Sequence, residues 1–452
     1  DFQDIQDRLY RDSKDGKEFC NLIEVITMPE NIRMAYRNLK KNHGSHTPGT
    51  DKKTINDIEK LSDEQLIGKI QEKFRWYRPQ SVRRVEIPKG NGKVRPLGIP
   101  TIMDRLVQQC VLQVLEPICE AKFHEHSYGF RPNRSAHMAM EEVLGYLNDG
   151  YEWIVDLDIE KFFDTVNHDK LISILRERVN DSRTLHLIRA YLQAGVLDKG
   201  LVRSSTIGTP QGGPISVILS NIYLDKFDKE LESRNLRFAR YADDCIIFVK
   251  SEMSANRVMK SVTSWLERKL FLKVSATKTK VVRPTKGQFL GFTFYKDSGA
   301  WKCTPTKDRK KRLYSNIQKW MERKHAVSRP LSVTFEKLNQ MVRGWIQYFK
   351  ISSIKGFLDK FGQWLRHKVR CIIIKQWKRP LRIYKNLMKL NKACRSNFTH
   401  EDIFKCANSR LGWYRRSAGY IVNFLLSPTV LGIKKGDRPG LVNPLIYYLE
   451  IL

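Results

Sequence analysis

The stretch Phe238 to Lys250, FARYADDCIIFVK, constrains the fold more than any other, because two adjacent carboxylates, Asp243 and Asp244, interrupt residues that otherwise favour β-structure. Asp is a common turn residue, so the pattern predicts a hairpin with acids at or beside its turn. Solvent alone can satisfy such a pair. A bound cation can do so too, since side-by-side carboxylates in an apolar setting repel, and a divalent metal is the simplest group that offsets the repulsion.

A second acidic segment lies far upstream. Trp153 to Val166, WIVDLDIEKFFDTV, opens as a strand through Ile154, Val155, Leu157 and Ile159, and it carries Asp156 and Asp158 at alternate positions. A strand points alternate residues to one face, so both acids share a side. Two strands bearing convergent carboxylates suit a pair of Mg²⁺ ions, which take oxygen ligands and leave room for phosphate oxygens. That is what a nucleotidyl-transfer site requires.

The charge balance points the same way. The chain has 81 Lys+Arg against 48 Asp+Glu, a formal charge of +33, the footprint of a polyanion binder. From Trp301 onward there are 33 basic and 8 acidic residues, so the last third carries +25 of that excess. Between Lys360 and His400 there are 12 Lys or Arg and no acid. A run of this kind is often a disordered tail. Here Trp364, Leu365, Val369, Ile372 to Ile374, Trp377, Leu381 and Leu387 interleave apolar groups at helical spacings, which predicts packed helices with a nucleic-acid-facing surface.

At 452 residues the chain exceeds one compact core and divides into two or three subdomains. No run reaches the roughly 18 consecutive apolar residues of a membrane span, and no signal-peptide pattern opens the sequence, so a cytoplasmic protein without a membrane partner is expected. The eight cysteines are scattered with no Cys-x-x-Cys pair, which argues against a zinc module or disulfide framework and for inert thiols.

Residues 1 to about 80 read as helical, with a loop at His43 to Asp51 and a helix over Ile55 to Phe74. Val82 to Pro88 and Lys93 to Ile99 read as strands around a Gly90-Asn91-Gly92 turn. A helix over Ile102 to Phe123, a strand over Ile154 to Asp158, a helix from His168 and another after Pro214 lead to the Asp-Asp hairpin. Trp345, Tyr348 and Phe349 sit at helical spacing and read as core in preference to base-stacking groups.

The Tyr241-Ala242-Asp243-Asp244 box resembles the metal-binding turn of reverse transcriptases. The flanking blocks Ile87 to Gln109, His126 to His137, the Asp158 segment, Gly208 to Asp228, FLGF (Phe289 to Phe292) and Leu338 to Lys350 are similar, in chain order, to the group II intron reverse transcriptases, or maturases. The resemblance spans most of the chain. It implies an α+β right-hand polymerase: fingers and palm over residues 1–300, with an amino-terminal extension to about residue 80, a helical thumb over 301–385, and a short basic DNA-binding extension over 386–452. Nothing matches the Cys/His-rich endonuclease domain of many relatives, so the similarity is to endonuclease-lacking members.

The same resemblance implies the site. Asp158, Asp243 and Asp244 would be the catalytic carboxylates, holding two Mg²⁺ ions for which Mn²⁺ can substitute, with the Ile159 carbonyl as a further ligand. Asp158 is preferred to Asp156 because the family's metal-binding Asp lies five residues before an aromatic that crowds the sugar 2′ position, and Phe163 fits that spacing. Lys89, Arg95 and Arg105 match positions that contact the incoming triphosphate, Gln211 and Gly212 would line the nucleotide pocket, and Lys278 would neutralise charge near the phosphates. The implied partners are group II intron RNA, an RNA template with a DNA or RNA primer, dNTPs and target DNA, with roles in copying RNA into DNA, splicing and retrohoming. The alternatives are a non-catalytic splicing cofactor, a relative recruited to host defence or DNA repair, and an RNA-dependent RNA polymerase, against which Phe163 and the fingers blocks argue.

Overall fold

The computed structural model describes residues 1–89, 92–198, 201–203, 207–209, 212–434 and 436–452, excluding the side chains of residues 89, 93, 95, 196–198 and 201–203. The chain forms two compact units, Asp1–Gly287 and Gln288–Leu452.

The strands of the first unit are β1 (Val82–Lys89), β2 (Lys93–Ile99), β3 (Trp153–Leu157), β4 (Val196–Asp198), β5 (Leu201–Arg203), β6 (Arg237–Tyr241), β7 (Asp244–Val249) and β8 (Lys280–Val282). They make two sheets. In one, the expected β1/β2 hairpin is extended by β4 and β5 in the order β2-β1-β4-β5. In the other, β6-β7-β3-β8 pair antiparallel throughout, with Ile154, Val155, Leu157, Phe238, Ile246, Ile247 and Phe248 all buried. These are the apolar positions of the two acidic segments. Burying them forces the strands together and so brings two stretches about 90 positions apart side by side.

The helix Ile102–Glu120 forms the spine of this unit's core, burying Leu106, Val107, Cys110, Val111, Val114 and Leu115. It ends three residues earlier than the sequence suggests. The helix expected over Ile55 to Phe74 is two, Ile55–Ile58 and Asp63–Arg75. Ser62 breaks the run: its side chain accepts from the Gln65 amide while Gln65 bonds back to the Ser62 amide, so a reciprocal cap outweighs the continuous apolar period.

The second unit opens with a three-stranded sheet, β9 (Gln288–Phe289), β10 (Phe292–Asp297) and β11 (Ala300–Pro305), in the order β11-β10-β9. The compact unit therefore begins before residue 301, and the anticipated 385/386 boundary falls inside the helix Pro380–Ala393. Phe349 is buried against Phe292 and Trp345, with ring centroids 4.9 and 4.6 Å apart, and the Tyr348 hydroxyl donates to the Leu290 carbonyl at 2.8 Å. Phe349 is thus core, and Trp345 and Tyr348 are half-buried against its rim. The acid-free basic run is folded into the helices Lys355–Trp377 and Pro380–Ala393, which bury Leu365, Val369, Ile372, Ile373, Ile374, Ile383 and Leu387. Leu381, expected among them, is 65% exposed because it sits in the first turn of its helix, off the buried stripe.

Among the described residues, no helix is long and apolar enough to cross a membrane. All eight cysteines are free; Cys20 is exposed, whereas Cys110, Cys119, Cys245 and Cys303 are buried. Burial pushes the Cys119 thiol up to about 11 and raises the other three as well. Ellman's reagent is expected to titrate Cys20 at once in the native protein and these four only after denaturant is added. Prompt native labelling of Cys110 or Cys245 contradicts this packing.

Candidate active site

Strand register assembles the acids. β3 pairs with β7 so that Asp156 faces Ile246 and Leu157 faces Cys245. Asp158 follows Leu157 and Asp244 precedes Cys245, so the two acids flank this last rung, and Asp158 is close enough to add to the rise in the Asp244 pKa. Asp244 opens β7 opposite Tyr241, and Ala242 and Asp243 form the two-residue turn between them. The predicted hairpin is therefore present, with Asp243 in the turn and Asp244 on its shoulder.

Four carboxylates, one more than expected, share this field. Partial burial, then Asp243, Asp156 and Asp158, push Asp244 up to about 6, even though solvent reaches its side chain. Burial likewise pushes Asp156 up to about 6, Lys280 opposing and Asp158 adding to the rise. Two lysines face the two acids at the end of β3. Lys278 Nζ lies 3.2 Å from Asp158 Oδ2, and Lys280 Nζ lies 3.9 Å from Asp156 Oδ2, the latter pair in register across β3 and β8. Lys278 thus neighbours the carboxylate network. The Asp158 backbone is tied on both sides, its amide donating to Thr279 Oγ1 at 3.2 Å and its carbonyl accepting from the Ser275 amide at 2.8 Å. Ile159 follows in a bridge to Val274 with its side chain buried.

No group of three His, Cys, Asp or Glu side chains among the described residues is drawn tightly enough to hold an ion as it stands. The donor set is nevertheless all-oxygen and carries excess negative charge, which is the chemistry a hard divalent cation takes. The residues fit such an ion in donor type and charge, and Lys278 would have to yield Asp158 to it.

The nucleotide-pocket candidates divide. Phe163 lies in the short helix Phe162–Thr165, half-buried and edge-on to Phe162 with centroids 5.4 Å apart. Its carbonyl accepts from the Thr209 amide at 2.6 Å, the Gly208 amide donates to the Val166 carbonyl, and His168 Nε2 contacts the Gly208 carbonyl at 2.6 Å. These bonds fasten Gly208 and Thr209 to the Phe163 element. Gly212 has φ +122, and a Cβ there would lie 2.7 Å from the Gly98 carbonyl oxygen, so the position demands glycine at the end of β2. Gln211 lies outside the described residues. Lys89 and Arg95 are placed on β1 and β2, Arg95 opposite Ile87, with side chains outside the described set.

Arg105 departs from expectation. It is buried, its two terminal nitrogens donate to the Gly44 and Thr47 carbonyls at 2.8 and 2.7 Å, and burial lowers its pKa. A triphosphate contact would need it to release both carbonyls. Its role here is to anchor the His43 to Thr47 loop, and a sequence shows a cation without showing which backbone groups claim it.

Sequence reasoning missed the support beneath the turn. Arg240 is wholly buried and grips the equally buried Asp228 through Nε and one terminal nitrogen, both at 2.6 Å, while its other terminal nitrogen donates to the Ala242 carbonyl at 2.7 Å. An Arg directly before an acidic turn, with an Asp twelve residues upstream on an apolar helix, was the available signal.

The family described as "Reverse transcriptase (RNA-dependent DNA polymerase)" matches residues 87–294, and "Group II intron, maturase-specific domain" matches residues 310–391. "Protein YkfC" of Escherichia coli K12 is 37% identical over 317 residues, covering 60% of this chain and 81% of that protein. "Group II intron-encoded protein LtrA" of Lactococcus lactis is 36% identical over 247 residues, 54% of this chain but only 40% of its own length. The "Putative COX1/OXI3 intron 2 protein" of Saccharomyces cerevisiae is 27% identical over 406 residues, 75% of this chain and 46% of the relative. A polymerase-family match over the acidic sheet, followed in the same chain by a maturase-specific match over the basic helices, leaves one assignment: the chain belongs to the group II intron reverse transcriptases, or maturases.

Proposed function

We propose that the protein is an RNA-directed DNA polymerase that copies RNA into DNA and binds group II intron RNA to assist splicing and retrohoming. The observation that supports this reading is the β3–β7 register, whose last rung, Leu157 opposite Cys245, is flanked by Asp158 and Asp244 beside the Asp243 turn. The unit ending at Gly287 would carry fingers and palm, with an amino-terminal extension to about residue 80. The helices that follow would form the thumb to about residue 385, and residues 386–452 a basic extension for target DNA, acting in the cytoplasm.

Asp158, Asp243 and Asp244, with the Ile159 carbonyl, are the groups suited to hold two Mg²⁺ ions. Bound there, such ions supply acidification of a primer 3′-hydroxyl and neutralisation of the triphosphate and departing pyrophosphate. The chain's own residues do the rest. Lys89 and Arg95, on β1 and β2, would contact the triphosphate, for which Arg offers a bidentate fork. Gly212 would let backbone and base approach closely, Gln211 remains a candidate for the nucleotide pocket on the family likeness alone, and Lys278, displaced from Asp158, would be free to turn to phosphate oxygens.

Phe163 would fill the volume that a ribose 2′-hydroxyl needs. Phe163→Ala is expected to raise rNTP relative to dNTP incorporation by about 10- to 100-fold, the range that a single steric contact supports. Primer extension on an RNA template with dNTPs or rNTPs tests the whole reading. DNA synthesis supports it, RNA synthesis favours an RNA polymerase, and intron binding without synthesis reduces the protein to a splicing cofactor.

A further inference from the structure

A guanidinium at 0% exposure needs a reason. Replacing a buried ion pair with apolar groups of similar size is often neutral or stabilising, so Arg240 and Asp228 are not explained by stability alone. What a charge-assisted network supplies is direction. Two of Arg240's nitrogens take Asp228 in a fork. The third donates forward to Ala242, 2.7 Å away, and sideways to Asn221 Oδ1, 3.1 Å away.

The Ala242 carbonyl belongs to the peptide plane that continues into Asp243, so holding that oxygen sets the orientation of the Asp243 backbone amide and hence the direction from which its side chain leaves. Ala242 has φ +58, the conformation that the first position of a two-residue hairpin turn takes at some cost to a residue with a Cβ, and its surroundings hold it there. Those surroundings are visible. The Arg240 backbone is bonded in both directions to the upstream segment, its amide donating to the His126 carbonyl at 2.9 Å and its carbonyl accepting from the Tyr128 amide at 2.8 Å. Asn221 Nδ2 donates to the Gly129 carbonyl at 2.9 Å while its Oδ1 accepts from Arg240. Gly129 lies flat under the turn: a Cβ there would sit 2.9 Å from the Tyr241 carbonyl carbon and closer still to the Ala242 nitrogen. Backbone cannot yield as a flexible side chain would.

We infer that Arg240, Asn221 and Gly129 are positioning residues for the reaction, forming a clamp that fixes the Ala242–Asp243 peptide and through it the Asp243 carboxylate. This inference rests on the reading of Asp243 and Asp244 as polymerase carboxylates. It assigns a role to the His126 to Arg131 segment, which the chemistry itself does not touch.

The test is single-nucleotide incorporation by the full chain on a preformed RNA-template duplex, with kcat and dNTP KM separated. Gly129→Ala and Asn221→Ala keep the ion pair and every acid. Each is expected to lower kcat by about 10- to 100-fold, the effect of displacing a reacting group by roughly 1 Å, with dNTP KM and intron RNA affinity held within about twofold. A purely structural role would lower the melting temperature and leave kcat at wild-type level wherever the protein remains folded. Two folded variants with wild-type kcat overturn the inference; if one does not fold, the other decides it. Asp243→Asn runs alongside: if it extends normally the polymerase reading has failed, whereas if it is inactive while both clamp variants are unimpaired, only the clamp has.

Discussion

Asp243→Asn should slow primer extension by about 10³-fold or more while melting no earlier than the parent protein. The amide has the shape of the carboxylate but not its charge, so what disappears is the negative pole that a cation needs. The melting expectation has its own cause. Asp243 lies among Asp244, Asp156 and Asp158; partial burial and then the repulsion of these neighbours push Asp244 up to about 6, and removing one of four like charges relieves the repulsive part. Activity and stability are thus predicted to part company, as functional sites that store strain do. Incorporation rate, thermal melting and RNA binding measured on one preparation check it. Normal extension by this variant would remove the enzyme assignment, and a lowered melting temperature would show that the carboxylate holds the fold.

Arg240→Ala is expected to lower stability as well as rate, with a loss of about 3–5 kcal/mol in folding stability, because Asp228 would be left buried without its counter-ion. Burial already raises the Asp228 pKa and Arg240 is what opposes that rise, so the unpaired acid would have to stay neutral or open the core to water. Urea denaturation followed by far-UV circular dichroism measures the loss. Combining Arg240→Met with Asp228→Leu should recover most of the stability, since shape is kept and neither charge is stranded. The double variant should still extend slowly, because the Ala242 carbonyl has lost its donor. Recovery of both stability and rate would reduce Arg240 to packing.

The parts legible in the sequence were those written in neighbouring residues. The alternation through Trp153 to Leu157, the apolar run after Asp244 and the turn residues between Tyr241 and Asp244 each depend on a few positions, and the strands and hairpin appear where these patterns put them. The basic run after Lys360 folds because its apolar residues recur at helical spacing, a local property as well. Short strands such as β4, β5 and β8 were not legible. At three residues each they are too brief for a period to show; β4 and β8 form because the longer β1 and β3 offer them an edge, and β5 because it then pairs with β4.

The sequence by itself determined which residues have the chemistry: the acids, the cations, the aromatic beside Asp158 and the charge of +33. Tertiary structure alone decided which of them meet. Asp158 finds Lys278 and Thr279 across 120 and 121 positions, Arg240 reaches Ser127 across 113, and Arg105 is claimed by carbonyls 61 and 58 positions away. The physical reason is that a side chain's period is fixed by its own backbone, whereas the partner of a buried charge is fixed by which distant segments exclude water together.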